Sequence, residues 1–174
     1  MRFYFTRPLV LSGFFFFLAW LGGGCPSSSS SSALEVGKRA PAFEATTLEG
    51  KTLRFPEDTA GKVVLIRFWA ERCPHCEAEM QGLEETYQRL KDEGLVILAV
   101  NAGQSRDTAQ AFAQRLGLSY FVLLDEDNSI GKRYGVTGVP TSYMLDKNGL
   151  VHAKFVGQTP KGEFEGKAKG LLGG

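Results

Sequence analysis

Two cysteines, Cys73 and Cys76, carry the most reactive chemistry in this chain. They stand in the stretch Trp69-Ala70-Glu71-Arg72-Cys73-Pro74-His75-Cys76, directly after the apolar run Val63-Val64-Leu65-Ile66. That order predicts a buried strand handing the pair to the start of a helix. Pro74 suits the first turn, where its missing N–H costs nothing. The first turn also presents unpaired N–H groups and the positive end of the helix dipole. Both favour a thiolate over a thiol, and the thiolate is the species that attacks disulfides. The pair therefore reads as a redox site, with Cys73 the exposed attacking sulfur and Cys76 the resolving thiol beneath it. A permanent structural staple is a poor alternative, because so small a loop stabilises little. Zinc needs four ligands, and only His75 and His152 are available to join the cysteines, so no metal and no cofactor are expected. Haem attachment requires His directly after the second cysteine, and Glu77 stands there.

The neighbours of the pair modulate this reading. His75 lies between the cysteines. Protonated, it would stabilise the Cys73 thiolate and hence the reduced form, making a stronger oxidant; about 1.4 kcal/mol of such preference is about 30 mV. An exposed histidine without effect is the bland alternative. Trp69 reads as packing that shapes the floor of the site and so its substrate surface. Arg67 is the oddity, a cation in a strand apolar on both faces. Under the dithiol its charge would lower a cysteine pKa. Otherwise its head reaches an acid such as Glu71 or Glu79, or water.

The elements that must hold these residues follow from periodicity. A turn at Glu49-Gly50-Lys51 joins two short β-prone runs into an N-terminal hairpin ending at Phe55. Val63 to Trp69 is a strand covered on both sides. A helix from Pro74 to about Lys91 carries Met80, Leu83, Tyr87 and Leu90 at helical spacing, and Gly94 ends it. Leu95 to Val100 is a second buried strand. Ser105 caps a helix with Ala111, Phe112 and Leu116 on one face. Tyr120 to Leu124 is a strand, and Asp125 to Asn128 cap a brief helix, Ser129 to Tyr134. After the loop Gly135 to Pro140, two strands flank Asp146-Lys147-Asn148-Gly149, whose Asn-Gly is a strong hairpin signal. Thr159 to Leu172 is a final helix weakened by Gly162, Gly166 and Gly170. The alternation predicts an α/β domain, one mixed sheet between helices.

The chain has 174 residues, enough for about one domain, with 43% hydrophobic and 22% charged residues. Its formal charge is +1; Arg2 and Arg7 fall in residues 1–24, leaving 18 basic and 19 acidic residues beyond. No concentrated basic surface points to nucleic acid. The apolar run Leu9 to Leu21 has 13 residues, the length of an export signal's core (about 7–15) and short of the about 20 that span a bilayer. Gly22-Gly23-Gly24-Cys25, then Pro26 and Ser27 to Ser32, resemble a bacterial lipoprotein signal followed by a flexible spacer. In that class the cysteine is lipidated, although Leu21 stands four residues before Cys25 where the usual pattern has Leu three before. A short uncleaved anchor is the alternative. Residues 1–24 thus read as an export or lipoprotein signal, 25–34 as a tether and 35–174 as the folded domain. On either reading the chain is exported and membrane-attached.

Phe68-Trp69-Ala70-x-x-Cys73-Pro74-x-Cys76 together with Gly138-Val139-Pro140-Thr141 resembles the thioredoxin superfamily. More narrowly, the chain is similar to the TlpA/ResA group of membrane-tethered, extracytoplasmic thiol–disulfide oxidoreductases. The likeness includes Gly37 to Phe43, Glu79, Val122 to Asp125, Tyr134 to Thr141 and Asp146 to Gly149, and covers essentially residues 35–174. It implies a thioredoxin-like sheet with an inserted strand–helix segment. It also implies a cis-proline at Pro140 beside the dithiol, and a Val139 backbone that receives an extended substrate chain. Glu79 would exchange a proton with Cys76 or shape the substrate cleft; an ordinary acid near a helix N-terminus is the alternative. Partners would be proteins bearing cysteines or disulfides, and a membrane electron-transfer protein. The substrates would lie in cytochrome c maturation or general disulfide reduction. Three positions depart from the group: Arg72 replaces a usual Trp, Arg67 a usual Asn, and Pro74-His75 matches DsbA-type oxidases. The direction of electron flow is open on that account. A copper-binding chaperone using the dithiol with His152 is a second class, although such relatives space their cysteines Cys-x-x-x-Cys. A peroxiredoxin is disfavoured by the missing Pro-x-x-x-Thr-x-x-Cys signature.

Overall fold

The computed structural model describes residues 1–2 and 34–174. The remainder of the expected signal, Cys25 and the tether up to Ala33 lie outside the described residues. Among the described residues no helix is long and apolar enough to cross a membrane.

The strand that delivers the dithiol lies inside the sheet. In chain order the elements are β1 (Phe43–Thr47), β2 (Thr52–Phe55), β3 (Val63–Trp69), α1 (Pro74–Leu90), β4 (Leu95–Ala102), α2 (Arg106–Leu116), β5 (Phe121–Asp125), α3 (Ser129–Arg133), β6 (Thr141–Leu145), β7 (Val151–Val156) and α4 (Glu163–Leu172). Among the described residues seven strands form one sheet in the order β2-β1-β5-β4-β3-β6-β7. β3, β4 and β5 run parallel, joined by the crossovers α1 and α2. The β1–β2 hairpin adds antiparallel to β5, and the β6–β7 hairpin antiparallel to β3. Asp146 sets the β6–β7 turn by accepting the N–H groups of Asn148 and Leu150, each at 2.9 Å.

Every residue of β3 is buried, and its side chains alternate between two cores. Val63, Leu65 and Trp69 join the core that holds Met80 and Leu83 of α1, Phe112 of α2, and Phe164 of α4. Val64, Ile66 and Phe68 join the opposite core with Phe43 and Phe55 of the hairpin and Ile130 and Tyr134 around α3. Each large apolar side chain so buried contributes about 1.5–3 kcal/mol. A strand pinned on both faces cannot slip register, which fixes where its C-terminal end releases the chain toward Cys73.

The mixed sheet, the N-terminal hairpin and the inserted α2–β5 segment are those the sequence predicts. Asp125 caps α3 as expected, accepting the N–H groups of Ile130 at 3.0 Å and Gly131 at 2.9 Å. Gly94 sits at φ 109°, the left-handed geometry that closes the turn after α1. The final helix starts at Glu163 rather than Thr159, because Pro160 and Gly162, at φ 86°, form a turn first.

Candidate active site

Cys73 occupies the N-cap of α1, with extended backbone at φ −98° and ψ 104°, and Pro74 opens the helix. The Cys76 N–H donates to the Cys73 carbonyl at 3.0 Å, and the Cys73 N–H to Ala70 at 3.2 Å. The two sulfurs are joined in a disulfide of 2.07 Å. Cys76 has no exposed surface and Cys73 retains 6%. Cys73 is therefore the more accessible sulfur, but it is not the exposed one the sequence suggests. It lies in the same apolar cluster as Trp69, against which Val139 packs. Pro74 and His75 both face solvent on the first turn.

Trp69 is fully buried, its ring 4.6 Å from that of Phe112. No part of it reaches the surface in this structure, and it packs in the same apolar cluster as Cys73 and Cys76. The Val139–Pro140 peptide is cis. The Pro140 carbonyl accepts the N–H of Gly157 at 2.9 Å, and the Thr141 hydroxyl donates to Gly138 at 2.7 Å. These bonds tie the loop to β7 and to itself, and leave Val139 half-buried.

Arg67 points to the α1 side of β3, fully buried, and pairs with Glu79 at 2.8 Å. Of the destinations the sequence allows, Glu79 is the one it takes. Its guanidinium also donates to the Ser142 hydroxyl at 3.1 Å and lies 5.7 Å from the centre of the Phe164 ring. Burial pushes the guanidinium below its usual pKa, and Glu79 opposes that shift. Glu79 also accepts the Thr159 N–H at 2.9 Å. It lines a cleft of about 380 Å³ between α1 and the β7–α4 segment, with Gly82, Thr86, Thr159, Lys161 and Phe164 among the walls.

Sequence reasoning misses three contacts here. Ser142 faces Arg67 only through the β3–β6 register, which needs the strand order. Thr159 reaches Glu79 across 80 residues of sequence. Gln104 braces the approach to Cys73, its side-chain oxygen accepting from Glu71 N–H at 2.8 Å and from Asn101 at 2.9 Å. No local pattern signals any of them. Among the described residues no three or more His, Cys, Asp or Glu side chains gather as a metal site. His152, on β7, does not join the cysteines, so the copper alternative lacks its third ligand.

Residues 36–154 match the AhpC/TSA family. The chain belongs to that family. Among its relatives is a thiol-disulfide oxidoreductase ResA of Bacillus thuringiensis (strain Al Hakam), 34% identical over 161 residues, 92% of this chain and 90% of the relative. The ResA of Geobacillus kaustophilus (strain HTA426) is 36% identical over 79% of this chain and 78% of its own. Of the solved structures, a candidate thiol:disulfide interchange protein DsbE from Chlorobium tepidum superposes with a TM-score of 0.75 at 29% identity, covering 80% of this chain and 99% of that one. The thioredoxin domain of a thiol-disulfide oxidoreductase from Bacteroides vulgatus does so at 0.72 and 25%, covering 80% and 99%. This member of the AhpC/TSA family has the thioredoxin-like fold and is a thiol–disulfide oxidoreductase of ResA-like type.

Proposed function

We propose that this enzyme works outside the cytoplasm, held to a membrane by a lipidated Cys25, and exchanges its Cys73–Cys76 pair with cysteines of exported proteins. The observation that carries the reading is the placement of the pair: Cys73 at the N-cap of α1 and the more accessible sulfur, Cys76 wholly buried behind it. In the reducing direction the Cys73 thiolate attacks a partner disulfide and releases one partner thiol. Cys76 then attacks Cys73, the mixed disulfide breaks, and the second partner thiol leaves. The helix N-terminus favours the thiolate that starts the sequence. Val139, before the cis-proline, offers its backbone to an extended partner segment, and Glu79 shapes the adjoining cleft. The ResA-like scaffold favours the reducing direction, toward cytochrome c maturation or general disulfide reduction with electrons from a membrane protein.

The test is a Cys76→Ser variant of the full-length protein. With no resolving thiol, a partner should stay bonded to Cys73 and come away with dithiothreitol. An adduct that forms equally when Cys73 is replaced by Ser would overturn the reading. His75, exposed in the first turn of α1, favours a second direction, oxidation. Equilibration with glutathione decides between them, since a shift of about 30 mV toward oxidising potential is about tenfold in the reduced-to-oxidised ratio.

A further inference from the structure

Arg67 lies between Leu65 and Trp69 on the side of β3 that faces α1, with no exposed surface. A guanidinium withdrawn from water needs a counter-charge and hydrogen-bond acceptors in fixed places. Glu79 supplies the charge at 2.8 Å and Ser142 an acceptor at 3.1 Å. Glu79 is bound in return: its Oε1 accepts the Thr159 N–H at 2.9 Å, while Oε2 faces Arg67. Its side chain keeps only 10% exposure. A carboxylate one helical turn past a buried thiol is otherwise well placed to carry that thiol's proton. Here Oε1 is held by a hydrogen bond from the β7–α4 segment and Oε2 by ionic contact with Arg67 of β3, although that contact lacks hydrogen-bond geometry.

We propose that Arg67 is a positioning residue that clamps Glu79 and so withdraws it from proton transfer with Cys76, the proton passing instead to the departing partner sulfur. This rests on the exchange chemistry proposed above. In the resolving step Cys76 Sγ bonds to Cys73 Sγ and the bond from Cys73 to the partner sulfur breaks. The partner sulfur leaves with both electrons of that bond and takes up the proton that Cys76 sheds. The partner is reduced by two electrons, the pair is oxidised by two, and Glu79 is unchanged. The other ionisable groups facing the cleft are Glu85 and Arg89 of α1, Lys161 of the β7–α4 segment and Glu165 of α4. Arg89 and Glu165 are paired with one another at 2.6 Å. Tyr120, packed on the same side of the sheet, keeps its hydroxyl on the Met80 carbonyl at 3.3 Å.

The experiment measures reduction of oxidised glutathione by the reduced full-length protein from about pH 4 to about pH 9, the range over which a carboxyl and a thiol both titrate. A Cys73→Ser variant supplies the background from any other thiol. Wild type should show one rise, that of the cysteine, and Glu79→Gln should leave its shape unchanged. Arg67→Asn frees Glu79 and should add a second, lower step of about tenfold in rate. That step should be absent from the Arg67→Asn/Glu79→Gln double variant, and Arg67→Lys should restore the single rise. A lower step in wild type that vanishes in Glu79→Gln overturns the proposal, and so does an Arg67→Asn profile identical to wild type. If Glu79→Gln alone does not fold, Arg67→Asn against the double variant decides. Wild type without glutathione reduction above the Cys73→Ser background would instead defeat the exchange reading itself.

Discussion

The ion pair between Arg67 and Glu79 is neutral as a unit and costly when halved. Glu79→Gln leaves a guanidinium with no exposed surface facing an amide, and should destabilise the fold by about 3–5 kcal/mol in urea unfolding. Replacing both members with apolar residues of similar volume should cost far less, because no charge is then stranded. A double-mutant cycle returning no coupling between the two would show that their proximity carries no energy. The dithiol, the cis-proline position and the acid at residue 79 are legible in the chain because each belongs to a short local pattern. Arg67 is legible only as an anomaly, a cation in an apolar run. Its partner can be narrowed to Glu71, Glu79 or water from sequence, and the choice among them depends on how α1 lies across β3. The near-burial of Cys73 is not legible at all, since it depends on Trp69 and Val139, which meet there only in the folded chain.

At the scale of elements, hydrophobic periodicity and turn chemistry define the strands well, because β3 and β4 are continuous apolar runs, Gly94 and Gly117 follow helices with a positive φ, and Gly149 takes one in the β6–β7 turn. The start of α4 is misjudged, since Phe164, Ala168 and Leu171 establish a face without saying where the helix begins. α3 is the most exposed to a single change. It spans five residues, too few to be stable alone, and its N-terminal N–H groups depend on the carboxylate of Asp125. Asp125→Ala removes the acceptor for two buried N–H groups at once and should cost about 1–2 kcal/mol. Amide exchange should rise at Ile130 and Gly131 before it rises in β4. The Pro140 loop follows α3 directly, so the same variant should slow glutathione reduction while leaving the Cys73–Cys76 spacing intact. Unchanged exchange at both amides would mean that α3 is held by Ile130 and Tyr134 packing instead.

Across the whole molecule, the dithiol helix and the C-terminal helix are joined on their outer faces by Arg89 and Glu165, at 2.6 Å, with Lys169 adding a second contact to the same carboxylate at 2.9 Å. The hydrogen bonds from Arg89 and then Lys169 bring the Glu165 carboxyl down to about 2. A carboxyl lowered in the folded state adds stability that is complete above its unfolded value, about 4.3. That contribution is lost as pH falls from there toward about 2, because the unfolded chain takes up the proton first. The pair lies at the surface, with the Arg89 side chain 50% exposed, so water screening keeps its contribution small. Wild type should therefore lose more melting temperature than Glu165→Gln between about pH 5 and about pH 2, and the two curves should converge at the acid end. High salt should narrow the difference at neutral pH, as it does for any exposed pair. Since α4 also places Phe164 over Arg67, loosening this outer link loosens one wall of the cleft beside Glu79. Parallel pH–melting curves for the two proteins would mean that α4 is held by the buried Phe164 and Ala168 alone, and that the surface ion pair carries no share of the coupling between the two helices.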